Sequence, residues 1–173
     1  RAGECLECHA AHSSNVPGLL TKPREQVCFS CHEAEVLATQ PVKHAPVLLG
    51  QCLECHNPHG SSLPKELRAG GKALCLRCHD AKAPTGKGTP TGPYRVDLDG
   101  KFMHPAVVKN ECQECHVPEH SGDVLSLLKK APPDLCYGCH QRKDKDRFVH
   151  GAVRTGDCSV CHRPHSGDDK NLL

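Results

Sequence analysis

CLECHNPHG, residues 52–60, is the stretch that decides the fold. Two cysteines flank two residues, a histidine follows the second cysteine, and another histidine comes three positions later. The CxxCH pattern occurs seven times and uses all fourteen cysteines, so none is left for a disulfide, a thiol catalyst or an iron–sulfur cluster. The copies are CLECH (5–9), CFSCH (28–32), CLECH (52–56), CLRCH (75–79), CQECH (112–116), CYGCH (136–140) and CSVCH (158–162).

Three chemistries use CxxC pairs, and only one of them requires the histidine. A zinc ribbon pairs two such units around one ion, and its tetrahedral thiolate site needs no histidine after each pair. Redox CxxC motifs occur singly in thioredoxin-like folds. Covalent haem c uses all three residues, because the thiols add to the two vinyl groups and the histidine binds iron. We therefore predict seven covalently attached haem c groups, with metal ribbons as the alternative. The attachment residues would be Cys5, Cys8, Cys28, Cys31, Cys52, Cys55, Cys75, Cys78, Cys112, Cys115, Cys136, Cys139, Cys158 and Cys161, and the first iron ligands His9, His32, His56, His79, His116, His140 and His162.

Seven further histidines match the seven second axial ligands that these haems would need. Four lie three or four residues after a motif histidine, and three lie eight residues before a cysteine. Scattered surface histidines would not keep this register, so we predict that all seven bind iron. His56 and His59, one helical turn apart, would lie on one face and could not bind one iron from opposite sides; each such pair would join two neighbouring haems. The seven are His12, His59, His120 and His165, and His44, His104 and His150.

The composition offers little else to fill an interior. Hydrophobic residues make up 37% of the 173 residues, but 14 of them are Cys, there is no Trp, and Phe and Tyr number only 3 and 2. A chain of this length should bury about two-thirds of its unfolded surface, so we predict that the cofactors form the core. The net charge of +2 without a basic patch argues against a nucleic-acid partner. No apolar run approaches the roughly 18 residues of a transmembrane segment.

The motifs form a repeated double unit: H-x7-CxxCH-xx(x)-H, a leucine-containing connector, and a second CxxCH. Full units run about 44–79 and 104–140; the first (1–32) lacks the leading histidine and the last (150–173) lacks the second CxxCH. The first unit has one spare histidine for two motifs, and the last has two for one motif. We therefore expect ligands to be supplied backward, with His44, His104 and His150 binding haems of the preceding unit. The haem on His79 would then receive its ligand from across the long connector.

Segment 80–103 interrupts the repeat. Its first half, rich in Gly, Pro and Thr, predicts an exposed loop. Alternating Tyr94, Val96 and Leu98 before Asp99–Gly100 fit either a small hairpin or an irregular loop over the haems. We predict a single heptahaem domain, 1–173; a division into a four-haem half (1–79) and a three-haem half (104–173), joined by loop 80–103, is an arrangement that this segment allows.

The predicted fold class is a multihaem cytochrome c, mostly coil with short α-helices at the CxxCH motifs, little or no β structure, and a core of stacked haems. Gly and Pro number 15 and 14, which limits the length of regular elements. Two further helices are expected, at 63–69 and 123–130. The sequence begins at Arg1 with a motif from Cys5, so we expect that a signal peptide has been removed or that the chain is a fragment.

Two long stretches resemble the doubled-CXXCH family of multihaem c-type cytochromes. They are CLECHNPHGSSLPKELRAGGKALCLRCH (52–79), and HPAVVKNECQECHVPEHSG (104–122) followed by APPDLCYGCH (131–140). The resemblance covers nearly the whole chain. It implies bis-histidine haems and electron transfer in the periplasm, through the outer membrane or at the cell surface of respiring bacteria and archaea; some similar proteins stack into extracellular filaments. The chain departs from the pattern in its missing first leading histidine and its missing final CxxCH.

The leading functional prediction is an electron carrier with no catalytic residues, because two histidines on each iron would leave no position for a substrate. Its partners would be redox proteins or an extracellular acceptor. We expect it in the periplasm or outside the cell, since haem c is attached outside the cytoplasm. One alternative is a multihaem reductase for nitrite, hydroxylamine or a sulfur oxyanion, which needs one open iron. Another is a subunit of a polymeric filament, whose partners are copies of itself. Met103, the only methionine, could replace a distal histidine, although packing is its simpler role.

Overall fold

The computed structural model describes residues 4–33, 39–82, 94–117 and 120–173, and regular structure in these ranges is sparse. Its α-helices are α1 Cys5–Cys8, α2 Arg24–Phe29, α3 Ala45–Leu48, α4 Gly71–His79, α5 Pro105–Val108, α6 Asp134–Tyr137 and α7 Gly151–Thr155. Its 3-10 turns are Pro17–Leu19, Cys52–Glu54, Pro64–Glu66, Cys112–Glu114, Leu125–Leu127 and Cys158–Val160. The strands are β1 Val42–Lys43, β2 Phe102–Met103, β3 Ser121–Gly122 and β4 Ser166–Gly167. The predicted fold class, mostly coil with short helices and little β structure, is confirmed.

Each CxxCH motif forms or ends a short helical turn. In six of the motifs, the backbone N–H of the motif histidine donates to the carbonyl of the first cysteine, four residues earlier, and the remaining motif, 75–79, forms the end of helix α4. This turn brings the two thiols and the imidazole of one motif close together. The donor and acceptor pairs are His9 and Cys5 (2.9 Å), His32 and Cys28 (2.9 Å), His56 and Cys52 (3.0 Å), His116 and Cys112 (3.0 Å), His140 and Cys136 (2.9 Å), and His162 and Cys158 (2.9 Å).

The two helices expected between motifs are not formed. The helical structure in segments 63–69 and 123–130 is limited to the 3-10 turns Pro64–Glu66 and Leu125–Leu127. Lys65 (φ 59°) and Ser126 (φ 60°) are left-handed, and this conformation breaks the helical progression of an L-amino-acid chain.

The connector after His79 is irregular where it is described. Residues 94–100 form no hairpin, and Val96 instead makes an isolated parallel bridge with Asp80. The Gly/Pro/Thr-rich part of the predicted loop, 83–93, lies outside the described residues, and the division into halves stays a prediction.

Two short antiparallel strand pairs connect successive units. β1 pairs with β3, with Val42 opposite Gly122 and Lys43 opposite Ser121. β2 pairs with β4 in the same way, placing Phe102 opposite Gly167 and Met103 opposite Ser166. In each pair, the strand before a leading histidine meets the strand after the spare histidine of the following unit, so the backbone itself fixes how one unit sits against the next.

The described residues include no buried hydrophobic side chain. The chain exposes 12641 Å², whereas a folded protein of this mass exposes about 8,300 Å². Over the described ranges the polypeptide therefore does not close around a side-chain core, and a core formed by cofactors stays a prediction. None of the helices in the described ranges has the length and apolar character needed to cross a membrane.

Candidate haem-binding site

Five pairs of histidine rings lie at similar centre-to-centre distances, with the two planes within 16–29° of parallel in four pairs and at 63° in the pair His104 and His140. Each pair joins one motif histidine to one spare histidine, and no pair joins two of the same kind. The ring-centre distances are 5.9 Å for His9 and His59, 6.0 Å for His79 and His44, 6.2 Å for His56 and His120, 5.9 Å for His140 and His104, and 6.1 Å for His116 and His165.

This separation fits a metal ion held between the two rings. Metal–nitrogen bonds of about 2.0 Å, with about 1.1 Å from each nitrogen to its ring centre, require ring centres about 6.2 Å apart when the nitrogens are opposite. The observed range, 5.9–6.2 Å, lies at this value. Ordinary aromatic ring contacts have centres about 4.5–7 Å apart, so the metal interpretation depends on the recurrence of the same motif–spare pairing five times and not on the distance alone. The histidine pairs and the open polypeptide surface together fit a set of planar iron cofactors.

Five motif histidines are fixed by a backbone carbonyl. The Nδ1 atom donates to the carbonyl, which selects the tautomer whose Nε2 is free to bind a metal. Four of the acceptors lie nine or ten residues after the histidine and one lies fifteen after it. The contacts are His9 to Gly18 (2.8 Å), His56 to Lys65 (2.9 Å), His116 to Ser126 (3.0 Å), His162 to Asn171 (2.9 Å) and His79 to Tyr94 (2.7 Å).

Sequence reasoning missed these carbonyls, although a signal for four of them was present. Counted from the spare histidine, the acceptor is always the sixth residue and a leucine is always the eighth. Three of the four acceptors have left-handed backbone themselves, which turns their carbonyls back toward the motif. The four segments are SSNVPGLL (13–20), GSSLPKEL (60–67), SGDVLSLL (121–128) and SGDDKNLL (166–173).

Burial keeps two of the spare histidines in their metal-binding form. It lowers the pKa of His165, and the neighbouring rings of His116 and His104 lower it further. Burial also lowers the pKa of His104, with a contribution from His140. A lowered histidine pKa favours the neutral imidazole, which is the form that ligates iron.

Thiols of successive units meet at three places. Burial raises the pKa of the Cys75 thiol to about 11, and the neighbouring Cys112 thiol adds to the rise by charge and by a hydrogen bond. The same contact recurs between the first cysteine of a unit's second motif and the first cysteine of the next unit. In both repeats burial is again the largest cause of a raised pKa, for Cys28 beside Cys52 and for Cys136 beside Cys158.

Thiols of the two motifs within a unit are also neighbours. Burial raises the pKa of Cys55, with Cys78 as the next cause, and it raises the pKa of Cys115, with Cys139 next. In the first unit, Cys8 adds to the raised pKa of Cys28. Every motif therefore has the next motif in the sequence as its neighbour, from the first to the seventh.

The structure corrects the expected direction of ligand supply. His44 and His104 face His79 and His140, the second motif histidines of their own units, and not a histidine of the preceding unit. The haem position of His79 therefore receives its facing ring from within its unit and not from across the connector. Rings of a following unit do lie against motif histidines of the preceding unit, but they belong to the other class of spare histidine, namely His59, His120 and His165.

His56 and His59 do belong to different pairs, as expected, although the helical reasoning behind that expectation was wrong. His56 makes a β-bridge with Leu67, and His59 lies in a turn. Extended backbone and a turn, not helix, direct the two rings toward different partners.

Four candidate ligands face no other histidine within the described ranges, which contain all fourteen histidines. They are the spare histidines His12 and His150 and the motif histidines His32 and His162, and all four are exposed. Among these same ranges, no group of three or more His, Cys, Asp or Glu side chains could hold a metal ion by itself. The converging ligands of a zinc ribbon are thus not found there.

The sequence profile described as the doubled CXXCH motif matches the chain four times, over residues 1–37, 44–84, 104–145 and 150–173. A search of curated proteins found no significant match. The four matches cover most of the chain and coincide with the four units that carry the facing histidines. CxxCH motifs of this kind hold covalently attached haem c. The chain belongs to the doubled CXXCH motif family, and it is a multihaem c-type cytochrome.

Proposed function

We propose that this cytochrome is an electron carrier, not an enzyme, and that it passes electrons along seven haem c groups in the order of the seven motifs. The observation that carries the proposal is the unbroken series of thiol neighbours from Cys8 and Cys28 to Cys136 and Cys158. Bound haem c supplies a one-electron iron couple, and ligation by two histidines holds its potential below that of a His/Met haem.

The chain's own residues would hold this series in place. The cysteines would anchor each group, and the paired histidines would be the residues that bind five of the irons. The carbonyls of Gly18, Lys65 and Ser126 orient the motif rings and hold the tautomer. Histidines supplied from the following unit, such as His120 opposite His56, link the units into one body without a side-chain core.

We also infer an extracytoplasmic location and redox-protein or extracellular partners. Support comes from the attachment chemistry, since haem c is joined to CxxCH motifs outside the cytoplasm. The net charge of the haem-loaded chain favours a coupling between reduction of the haems and uptake of protons. Seven ferric groups at about −1 each would take the chain from +2 to about −5, and full reduction to about −12, which raises the pKa of nearby acids.

The proposal is tested by breaking the series in its middle. His165→Met would convert the position opposite His116 to a His/Met pair, whose higher potential makes it an electron sink and spectral marker. A photoreductant is attached at Lys22→Cys, the only free thiol once all fourteen native cysteines carry haem. Removing the fourth attachment site, with Cys75→Ala and Cys78→Ala, should slow arrival of the electron at the marked haem by at least tenfold.

The matched control removes the seventh attachment site, with Cys158→Ala and Cys161→Ala. This site lies beyond the sink, so the arrival rate should equal that of the parent. Equal rates in both deletions would contradict transfer in motif order. The number of attached haems, measured by mass, must fall by one in each case.

One observation favours a second function, a reductase. His32 and His162 face no histidine ring among the described residues, so an iron held by either could bind a substrate. Turnover of nitrite or hydroxylamine by the reduced protein, at a rate lost in a variant lacking one of these attachment sites, would establish it.

A further inference from the structure

Segment 94–100, the part of the long connector that lies before β2, makes contacts at two histidine pairs. We call this segment the strap. Its first contact is at His79, whose Nδ1 donates to the carbonyl of Tyr94 at 2.7 Å. The other second-motif histidines, His32 and His140, make no such contact with a carbonyl among the described residues. The strap therefore gives His79 a restraint that its two counterparts lack within the described ranges.

Three further contacts anchor the strap beside the fourth motif. The N–H of Val96 donates to the carbonyl of His79, and the carbonyl of Val96 accepts from the N–H of Ala81 at 3.0 Å. Nε of Arg95 donates to the carbonyl of Asp80 at 3.0 Å. Because every one of these contacts involves a backbone group, they fix the path of the strap itself and not only its side chains.

The middle of the strap reaches the last unit. The Ser166 hydroxyl donates to the carbonyl of Asp97 at 2.7 Å, across 69 positions of sequence. Ser166 is 7% exposed and is the one buried polar side chain of the described ranges. Beside it, the backbones of Gly100 and Gly167 approach so closely that a Cβ on Gly100 would lie 2.5 Å from the nitrogen of Gly167. The strap and the last unit are thus packed backbone against backbone around one buried hydroxyl.

This hydroxyl lies one residue after a candidate iron ligand. The ring centre of His165 lies 6.1 Å from that of His116, with the two planes 16° apart. The backbone at Ser166 is otherwise held by β2 and β4, strands of two residues each, and two-stranded pairs are marginally stable by themselves. The hydrogen bond from Ser166 therefore adds a restraint next to His165 that the strand pair alone does not supply.

The first strand pair offers a comparison. Ser121 follows the spare histidine His120 as Ser166 follows His165, and it occupies the same position in its strand pair. Ser121 is half-buried, and its hydroxyl makes no hydrogen bond to another described residue. The ring-centre distances of the two histidine pairs are nearly equal, at 6.2 Å and 6.1 Å. The two sites therefore differ mainly in the contact with the strap.

We propose that Ser166 is a positioning residue: held by the carbonyl of Asp97, it keeps the His165 ring in place as a ligand of the fifth haem. The strap would then hold a ligand of the fourth haem and a ligand of the fifth in one fixed relation. It would do so at the step of the series where the connector is longest, between the motifs that begin at residues 75 and 112. This inference rests on the proposed binding of iron by paired histidines.

The test measures how fast cyanide replaces histidine in the oxidised holoprotein, because cyanide can bind an iron with two histidine ligands only after one of them has left. His165→Ala identifies the fifth haem. Its iron should bind cyanide within the mixing time, so one slow phase of the parent should be missing. Ser166→Ala should speed that same phase roughly three- to tenfold, the range expected for the loss of one hydrogen bond.

Ser121→Ala is the matched control, since it removes a hydroxyl at the same place in the other strand pair without breaking a hydrogen bond to a described residue. All its phases should keep their parental rates. The double variant His165→Ala with Ser166→Ala should match His165→Ala alone in cyanide rates and in high-spin content, because Ser166 acts through His165. A role in general packing would instead change the phases of other haems as well.

Three results separate the possible failures. Parental rates in Ser166→Ala, with one slow phase lost in His165→Ala, would overturn the inference and leave the ligation intact. Acceleration of several phases at once in Ser166→Ala would also overturn it, since that result assigns Ser166 to general packing. If His165→Ala loses no slow phase and gains no high-spin haem, the proposed binding of iron by His165 is itself contradicted.

Discussion

Removing His120 should open one iron and loosen the contact between two units. The His120 ring faces His56, 64 positions earlier in the sequence, so a metal between them closes a long loop of chain. By the chain-entropy relation for crosslinks, closing a loop of this length adds up to about 4 kcal/mol to the free energy of unfolding. His120→Ala keeps the carbonyl that accepts from His44, so the strand pair between the units should survive.

Two measurements on dilute holoprotein check this prediction. Denaturant unfolding should show a free energy of unfolding about 2–4 kcal/mol lower than that of the parent. The lower figure applies if other ligands already close part of the same loop. The oxidised spectrum should gain one high-spin haem, and added imidazole should return it to low spin by occupying the vacated position.

His12→Ala is the matched control, because His12 holds the equivalent place in the first unit yet faces no ring within the described part of the chain. It should change neither the free energy of unfolding, beyond about 0.5 kcal/mol, nor the spin state in dilute protein. Equal effects of the two substitutions would refute the pairing of His120 with His56.

Three further predictions concern the backbone and the charge. Gly100→Ala would place a Cβ 2.5 Å from the backbone nitrogen of Gly167, so the free energy of unfolding should fall by about 1–3 kcal/mol. Gly151 is helical and has open space around it, so Gly151→Ala is the control and should leave the free energy of unfolding unchanged or raise it. Gly18→Ala meets no atom within 4 Å but has a φ of +76°, so it should cost roughly 1 kcal/mol in unfolding free energy and weaken the hold on His9; an unchanged stability would contradict the strained turn. Redox titrations at several pH values should show potentials that fall as pH rises, because reduction adds negative charge and takes up protons; potentials independent of pH would contradict this coupling.

The sequence predicted which histidines come near motif histidines better than it predicted which motif histidine each of them meets. Register alone placed His12, His59, His120 and His165 in one class and His44, His104 and His150 in another. Five of these seven lie against motif histidines, whereas His12 and His150 lie against no histidine ring in the described residues. Which motif histidine each one meets depends on β1–β3 and β2–β4, strand pairs of two residues each. Elements this short have no hydrophobic periodicity to detect, so the direction of supply was assigned to the wrong class.

The wrongly predicted helices have a different cause. A helix was expected at 123–130, yet Ser126 and Leu127 are both left-handed, with φ values of 60° and 50°. Non-glycine residues seldom adopt this conformation, so propensity argues against it. The cost of the left-handed backbone is offset by a hydrogen bond, in which Nδ1 of His116 donates to the carbonyl of Ser126 at 3.0 Å. A contact to a ligand-bearing ring is not visible in local sequence preference.

The central claim is that paired histidines hold the irons of this cytochrome, and one measurement addresses it most directly. Electron paramagnetic resonance of the fully oxidised, dilute holoprotein, with haem quantified per chain, should give seven haems, of which five are low-spin at every concentration. Fewer than seven haems, or more than two high-spin haems, would contradict the account.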